Sequence, residues 1–405
     1  MNDNHTELDV DVLTVAYGTS PITAVSSVQP IDDEQGIIYF KSVVAQTTRG
    51  NVTAGQSIAN ATQMEDVPAV GYAGDRLVET VATTTTATTY NYSVTSGPVR
   101  PGTISFAFSG DPSSSNYMLI DAVNNAGQST VSNLLGAGIT GTINYATGAV
   151  AITFSSAPVA GVIVNITYAT DFESATDLPK IVFKLTTKSI HARVFALKDT
   201  IGLEQSYALR RRFGLVAEDE VAQDLVSAIN SEIMNTTIMN LYANAMGSTT
   251  WSQTAPVGVS YFEHKQTLTD YIAKAESVLI GNAGRGTINV LIAGRAASAI
   301  IQTLPGFTKI SDGSTIGPHI FGTLNGTVII RVPNSSALDT NTILCIYKGN
   351  SPFESAAVYS PFMPLVVTTA LPNGLNPLIN QKAAAIWAGV DTLVPSFVTK
   401  LVVTA

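Results

Sequence analysis

Charge is what this sequence has least of. Only 13% of its 405 residues are Asp, Glu, Lys or Arg, about half the share usual in soluble domains. A chain so poor in charge is expected to hide much of its surface against neighbours. Lys and Arg number 21 against 30 Asp and Glu, for a formal net charge of −9. This excess of acid argues against a protein that wraps nucleic acid by neutralising phosphates, because that mode needs clustered Lys and Arg in surplus. Cysteine is nearly absent, with Cys345 standing alone. An intrachain disulfide is therefore impossible, and thiolate-rich zinc or iron–sulfur sites are excluded. No apolar run reaches the ~20 residues that cross a bilayer. The best, Ile288 to Ile301, is broken by Gly294 and Arg295. Met1 to Asp11 offers neither a basic nor an apolar segment, so no secretory signal is read there.

What remains is a 45% hydrophobic chain, long enough for one large core or two to three smaller ones. Residues 1–27 read as an extended N-terminal arm. Residues 28–82 carry short β-prone stretches such as Gly36-Ile-Ile-Tyr-Phe-Lys41, separated by glycines. Residues 83–171 are Thr-rich and read as an all-β domain, opening with the low-complexity run Thr83 to Thr89. Within it, Thr140 to Tyr145 and Ala149 to Phe154 flank a turn at Gly148. Val150, Ile152 and Phe154 share one face, as do Val162, Val164, Ile166 and Tyr168. A small antiparallel sandwich is the expectation.

The pattern then turns to mixed α and β. Leu203 to Arg212 and Ala217 to about Ala245 read as helices divided at Gly214. The second carries Val221, Leu225, Ile229, Ile233 and Leu241 as an apolar stripe. Glu218, Asp219 and Glu220 sit in its first turn, where carboxylates suit the helix dipole. A helix from Tyr261 to Leu279 follows, then strand and helix in α/β order, then strands to the end. The domain divisions expected are 172–262 for the second half of the extended loop and the long-helix domain, 263–370 for a following domain, and 371–405 for C-terminal strands.

Chemistry-bearing motifs are few in this sequence. Nucleophile elbows, Walker loops and helical His-Glu-x-x-His pairs are absent. Gly281 to Gly286 precedes a strand and lacks dinucleotide spacing, so it reads as a turn. His5, His191, His264 and His319 are scattered singly, without a second ligand at metal spacing. The acidic clusters Asp32-Asp33-Glu34 and Glu218 to Glu220 read as solvated faces and helix capping. No catalytic, cofactor or metal site is expected. The strongest electrostatic feature is basic: Lys180, Lys184, Lys188, Arg193, Lys198, Arg210, Arg211 and Arg212 lie together, with only Asp199 and Glu204 among them. Pairing with acidic patches of neighbouring subunits, such as Asp32, Asp33 and Glu34, is the favoured role. Aromatics for base stacking are sparse there, which weighs against nucleic acid.

Several segments, in order, resemble one family. Ser27-Val-Gln-Pro-Ile31 and the following Gly36-Ile-Ile-Tyr-Phe40 resemble an early stretch in the major capsid proteins of T4-like contractile-tailed bacteriophages. Phe213-Gly-Leu-Val-Ala-Glu-Asp-Glu-Val221 resembles the opening of that family's long spine helix, and Ser231-Glu-Ile233 a motif within it. Gly322-Thr-Leu-Asn-Gly326 and the stretch from Tyr347-Lys-Gly-Asn-Ser to Pro361-Phe-Met-Pro-Leu365 resemble two later motifs, the last being the most specific. The resemblance implies an α+β HK97-like capsid fold: an N-terminal arm, an extended loop, a peripheral domain on the spine helix, an axial domain at 263–370, C-terminal strands returning to the peripheral domain, and an inserted all-β domain. It implies a shell subunit forming hexamers and pentamers, with portal and scaffolding proteins, and decoration proteins where present, as partners. Packaged double-stranded DNA would be touched weakly, and no membrane is involved. The place implied is the virion capsid, assembled in the bacterial cytoplasm. An encapsulin-type compartment and a tail-tube or sheath subunit are the alternatives. Family members carry a longer, cleaved propeptide, whereas only a short region precedes Val28.

Overall fold

The computed structural model of the chain describes residues 21–49, 52–55, 72–82, 87–109, 118–121, 131–136, 138–157, 162–176, 178–311, 316–376 and 378–404. Most of the expected arm and the first four residues of the run 83–89 lie outside these. Chain order begins α1 (Ile22–Val25), β1 (Ser26–Val28), β2 (Gln35–Ala45), β3 (Arg76–Ala82), β4 (Thr89–Ser93), β5 (Ser105–Ser109) and β6 (Met118–Asp121). There follow β7 (Val131–Gly136), β8 (Ile139–Asn144), β9 (Ala149–Phe154), β10 (Ile163–Ala169), β11 (Ile181–His191) and β12 (Arg193–Gly202). Next come α2 (Leu203–Phe213), α3 (Ala217–Asn244), β13 (Gly247–Ser252), α4 (Tyr261–Ala283), β14 (Val290–Gly294) and α5 (Arg295–Ile301). The chain ends with β15 (Phe307–Lys309), β16 (His319–Leu324), β17 (Thr327–Val332), β18 (Thr342–Ile346), β19 (Ala357–Val367), β20 (Leu371–Pro372), β21 (Ile379–Thr392) and β22 (Val398–Thr404). The class is mixed α and β, with several sheets and few helices.

Two compact units divide the chain: Met1–Ser42 with Ala61–Glu65 and Leu185–Ala405, and Val43–Asn60 with Asp66–Lys184. The chain passes between them within β2 and β11, which pair as a two-stranded sheet.

The second unit holds one sheet of eight strands, ordered β3-β10-β5-β6-β7-β8-β9-β4. It differs from the expected sandwich in being a single sheet whose two edges approach, since Tyr92 on edge strand β4 donates its hydroxyl to Glu79 on edge strand β3. The sheet also begins upstream of the expected boundary at 83, because β3 pairs along its length with β10. The alternation read from the sequence supplies the core: Val150, Ile152, Phe154, Val162, Val164, Ile166 and Tyr168 are all buried, and Phe106, Phe108, Ile139 and Ile143 join them. Each such large side chain removed from water contributes about 1.5–3 kcal/mol. The β8–β9 turn needs a left-handed residue, and Gly148 supplies it at φ 71°.

In the first unit, β1-β19-β21-β12 form one sheet with β20 beside β21, and β13-β22-β18-β14-β17-β16-β15 form another. The long helix α3 lies on β21 and β12. Its stripe buries Leu225, Ile229, Ile233 and Leu241, and Ala222, Val226, Met234 and Ile238 widen the buried face. At 28 residues and ~1.5 Å per residue it spans about 42 Å. Helix α4 begins with a capping box between Ser260 and Glu263 and packs on β13 and β22.

Two divisions differ from expectation. Residues 21–27, read as part of an extended arm ordered only by lying on something else, lie on their own chain: Ile22 and Val25 are buried, and β1 pairs in parallel with β19 through Ser26 and Ala357. The C-terminal residues 371–405 were assigned to one domain, yet β21 joins the five-stranded sheet while β22 pairs with β13 and β18 in the seven-stranded one. The apolar residues Val398, Leu401 and Val403 take their burial there.

Candidate functional site

Among the described residues no three His, Cys, Asp or Glu converge where they could hold a metal ion. The sole thiol, Cys345, is buried in the centre of β18, and burial pushes its pKa up to about 12, which keeps it protonated and inert. His264 stacks on Trp251 at 5.3 Å with its Nε2 2.8 Å from the Ser252 carbonyl oxygen, and His319 Nδ1 lies 2.9 Å from the Gly317 carbonyl oxygen. No described helix is long and apolar enough to cross a membrane.

The buried charges that do exist hold structure. Glu79 is 4% exposed and accepts from the hydroxyls of Tyr92, Tyr168 and Thr95 and from the Thr95 amide at 3.1 Å. Burial, reinforced by the Glu79 carboxylate, pushes both tyrosine hydroxyls upward in pKa, so they stay donors across the physiological range. Arg49, also buried, donates to the carbonyls of Tyr72 at 3.1 Å and Gly74 at 2.8 Å and to the Thr170 hydroxyl at 3.1 Å, with its guanidinium 4.7 Å from the Phe172 ring centre. These two networks were missed in the sequence. Glu79 sits among the inward-facing positions of β3, so alternation around a lone carboxylate was the available signal. A shallow groove of about 530 Å³ crosses β4, β9 and β8 between Asn91, Ser93, Thr142 and Asn144. It carries no charged group.

The surface is where the expected site residues lie. Asp32, Asp33 and Glu34 are exposed in the turn before β2. Lys180 and Lys184 are exposed in the second unit, at the start of β11 and just before it. In the first unit Lys188 is bound within its own chain, to Asp391 at 2.9 Å and to the Thr392 carbonyl at 2.8 Å. Arg193 and Lys198 stand exposed on edge strand β12. Arg210, Arg211 and Arg212 form the last turn of α2, where cations suit the carbonyl end of the helix dipole. Arg211 donates to the Tyr207 hydroxyl at 2.9 Å. The first-unit group Arg193, Lys198 and Arg210 to Arg212 thus comes from two consecutive elements, and none of the five enters an ion pair among the described residues. Apolar exposure accompanies these charges: β2 presents Ile37 and Tyr39, and β11 presents Ile181, Val182, Phe183 and Leu185. Such surfaces suit protein contact.

Comparison with known proteins agrees in kind. The family model described as Major capsid protein Gp23 matches residues 22–383. No curated protein matches the sequence. Solved structures similar to the chain include the capsid of Myoviridae phage XM1, at 12% identity over 56% of this chain and 79% of that one, with a TM-score of 0.35. The mature capsid of bacteriophage PhiM1 is similar at 12% identity over 57% and 77%, TM-score 0.36. A virus-like particle from Pyrococcus furiosus is similar at 13% identity over 56% and 82%, TM-score 0.35. The family match covers most of the sequence and carries the assignment: the chain belongs to the Gp23 major capsid protein family, whose members build the phage head.

Proposed function

We propose that this major capsid subunit has the HK97-type fold and tiles a closed icosahedral head as hexamers and pentamers. The family match over residues 22–383 carries the reading. On it, the paired strands β2 and β11 are the extended loop and α3 the spine of a peripheral domain. Strands β14 to β18 of the seven-stranded sheet belong to the axial domain near 263–370, and the β-rich region 83–171, extended upstream to β3, is an insertion in that loop. Self-association into shells supplies the subunit's function, and no catalytic step is assigned to it. Affinity at each contact is modest, because every subunit meets several neighbours and the lattice makes the contacts act together.

The exposed Asp32, Asp33 and Glu34 of one subunit pair with Lys180, Lys184, Arg193 and Arg210 to Arg212 of neighbours. Lys188, already bound to Asp391, contributes least. Portal and scaffolding proteins, and decoration proteins where present, are the partners during assembly in the host cytoplasm. Packaged DNA is touched without specificity, in keeping with the net charge of −9. Electron microscopy of the expressed full chain tests the reading. Closed shells with capsomers are expected, whereas helical tubes alone would sink it.

A further inference from the structure

Helix α2 is eleven residues long and buries none of them. A helix of that length is marginal on its own, so its exposed side asks for a cover. Its first residue sits against the hairpin made by β20 and β21: the Leu203 amide donates to the Leu378 carbonyl at 3.0 Å, and Gly202 pairs with Ile379. Leucines gather at this end of the five-stranded sheet without being buried. Leu203 is 62% exposed, Leu371 59%, Leu375 96% and Leu378 63%, with Tyr207 one helical turn further along α2 at 63%. No charged residue occurs between Glu354 and Lys382. At the other end of α2 stand Arg210, Arg211 and Arg212, with Phe213 71% exposed beside them.

We infer that α2 and the β20–β21 hairpin form one docking face for a second copy of this chain, engaged head to tail. The inference rests on the shell-forming reading above. Two features of the face select the occupant. Its leucines need an apolar counterpart, which a nucleic-acid backbone does not offer. Its arginines need a negative one, and the chain as a whole is at −9 even though this segment is positive, so another copy presents the complementary charge. The same charges fix the mode of contact. Two copies meeting through identical faces would offer the three arginines of each only Glu204 as a counter-charge, so the face must meet a different, more acidic surface of the next copy. Contacts of that heterologous kind close into rings when the rotation allows, as capsomers require.

The test uses the full chain. Leu375→Ser/Leu378→Ser and Arg210→Glu/Arg211→Glu/Arg212→Glu are each compared with the unaltered protein for the concentration at which particles form. Circular dichroism and unfolding midpoints of unassembled protein confirm the fold. Both variants are expected to raise that concentration roughly tenfold or more. The arginine variant should also lose most of the salt dependence of assembly. Either variant assembling at the unaltered concentration overturns the inference, as does a leucine variant that assembles normally and only retains less DNA. A photo-reactive side chain placed at Leu375 covers the case of a variant that does not fold. Cross-links between copies in assembled particles support the face, whereas cross-links to DNA or within one copy overturn it. If the unaltered protein makes tubes, the icosahedral reading fails, but cross-links between copies at Leu375 would still uphold this contact.

Discussion

Helices α2 and α3 are separated by one short turn and have opposite fates. Helix α3 buries ten side chains and packs mainly on β21 and β12, whereas α2 buries none. Most helical stability in folded proteins comes from packing an apolar face, and α3 follows that rule. Helix α2 is held instead by its ends. Gly202 in extended backbone opens it, three arginines meet its carbonyl terminus, and Gly214 closes it in the left-handed conformation with its amide on the Arg210 carbonyl. One helix is finished within the subunit, while the other keeps its apolar side chains for a contact outside it. A chain with few charges has to make that distinction by packing, because it has little charge with which to mark its surface.

The largest effect should come from breaking the finished helix. Ile229 is 1% exposed at the centre of the α3 stripe. Ile229→Ala is expected to cost about 2–5 kcal/mol, the transfer loss plus the cavity left behind. Chemical unfolding of the unassembled chain measures it, and a loss below 1 kcal/mol would mean that α3 is not packed as described. The sealed interior of the eight-stranded sheet should come next. Glu79→Gln keeps the shape but gives the site an amide that donates where hydroxyls already donate, so part of the Tyr92, Tyr168 and Thr95 set loses its acceptor. A loss of about 1–3 kcal/mol is expected. Glu79→Gln with unchanged stability would show that the three hydroxyls find partners elsewhere.

The boundary between the helices gives a smaller, sharper test. Gly214 has φ 73° and nothing within 4 Å of where a Cβ would stand. Gly214→Ala therefore meets no clash, and its cost is conformational alone, about 1–2 kcal/mol for a left-handed L-residue. Unfolding midpoints read the loss directly. A neutral result would mean that the turn relaxes into another conformation, and the change of direction between α2 and α3 would not depend on it.

How much of this was visible in the sequence depended on whether the cue was local. The apolar stripe from Val221 to Leu241, the break at Gly214 and the acidic first turn at Glu218 to Glu220 are contained in one stretch of chain, and they define α3 to within a residue or so. The β8–β9 hairpin is similar, with Gly148 between two alternating runs. The span of the eight-stranded sheet was not visible, because β3 pairs with β10 across more than eighty residues and the approach of its two edges, Tyr92 to Glu79, comes from curvature rather than from spacing. Built-in residues 21–27 were missed because Ile22 and Val25 read as isolated apolar pieces until β19 arrives from the far end of the chain. Among the candidate site residues, the basic run from Lys180 to Arg212 was plain, but its division was not. Lys188 turns to Asp391, Lys180 and Lys184 lie in the other unit, and the apolar side of α2 carried no signal, since a leucine and a tyrosine at helical spacing ordinarily mean burial.

That last point yields the smallest expected effect, and the one that separates the two helices most cleanly. Leu203 and Tyr207 would read as a core stripe by spacing alone, yet they stand 62% and 63% exposed. If the subunit is finished without them, Leu203→Ser should change the stability of the unassembled chain by no more than about 0.5 kcal/mol, as for surface positions generally. The equivalent polar change at Ile229 would leave a hydroxyl among buried methyl groups and cost several times more. A loss above 1.5 kcal/mol at Leu203 would mean that α2 is packed on its own subunit in solution. Its apolar side would then belong to the subunit core, and the contrast with α3 would disappear.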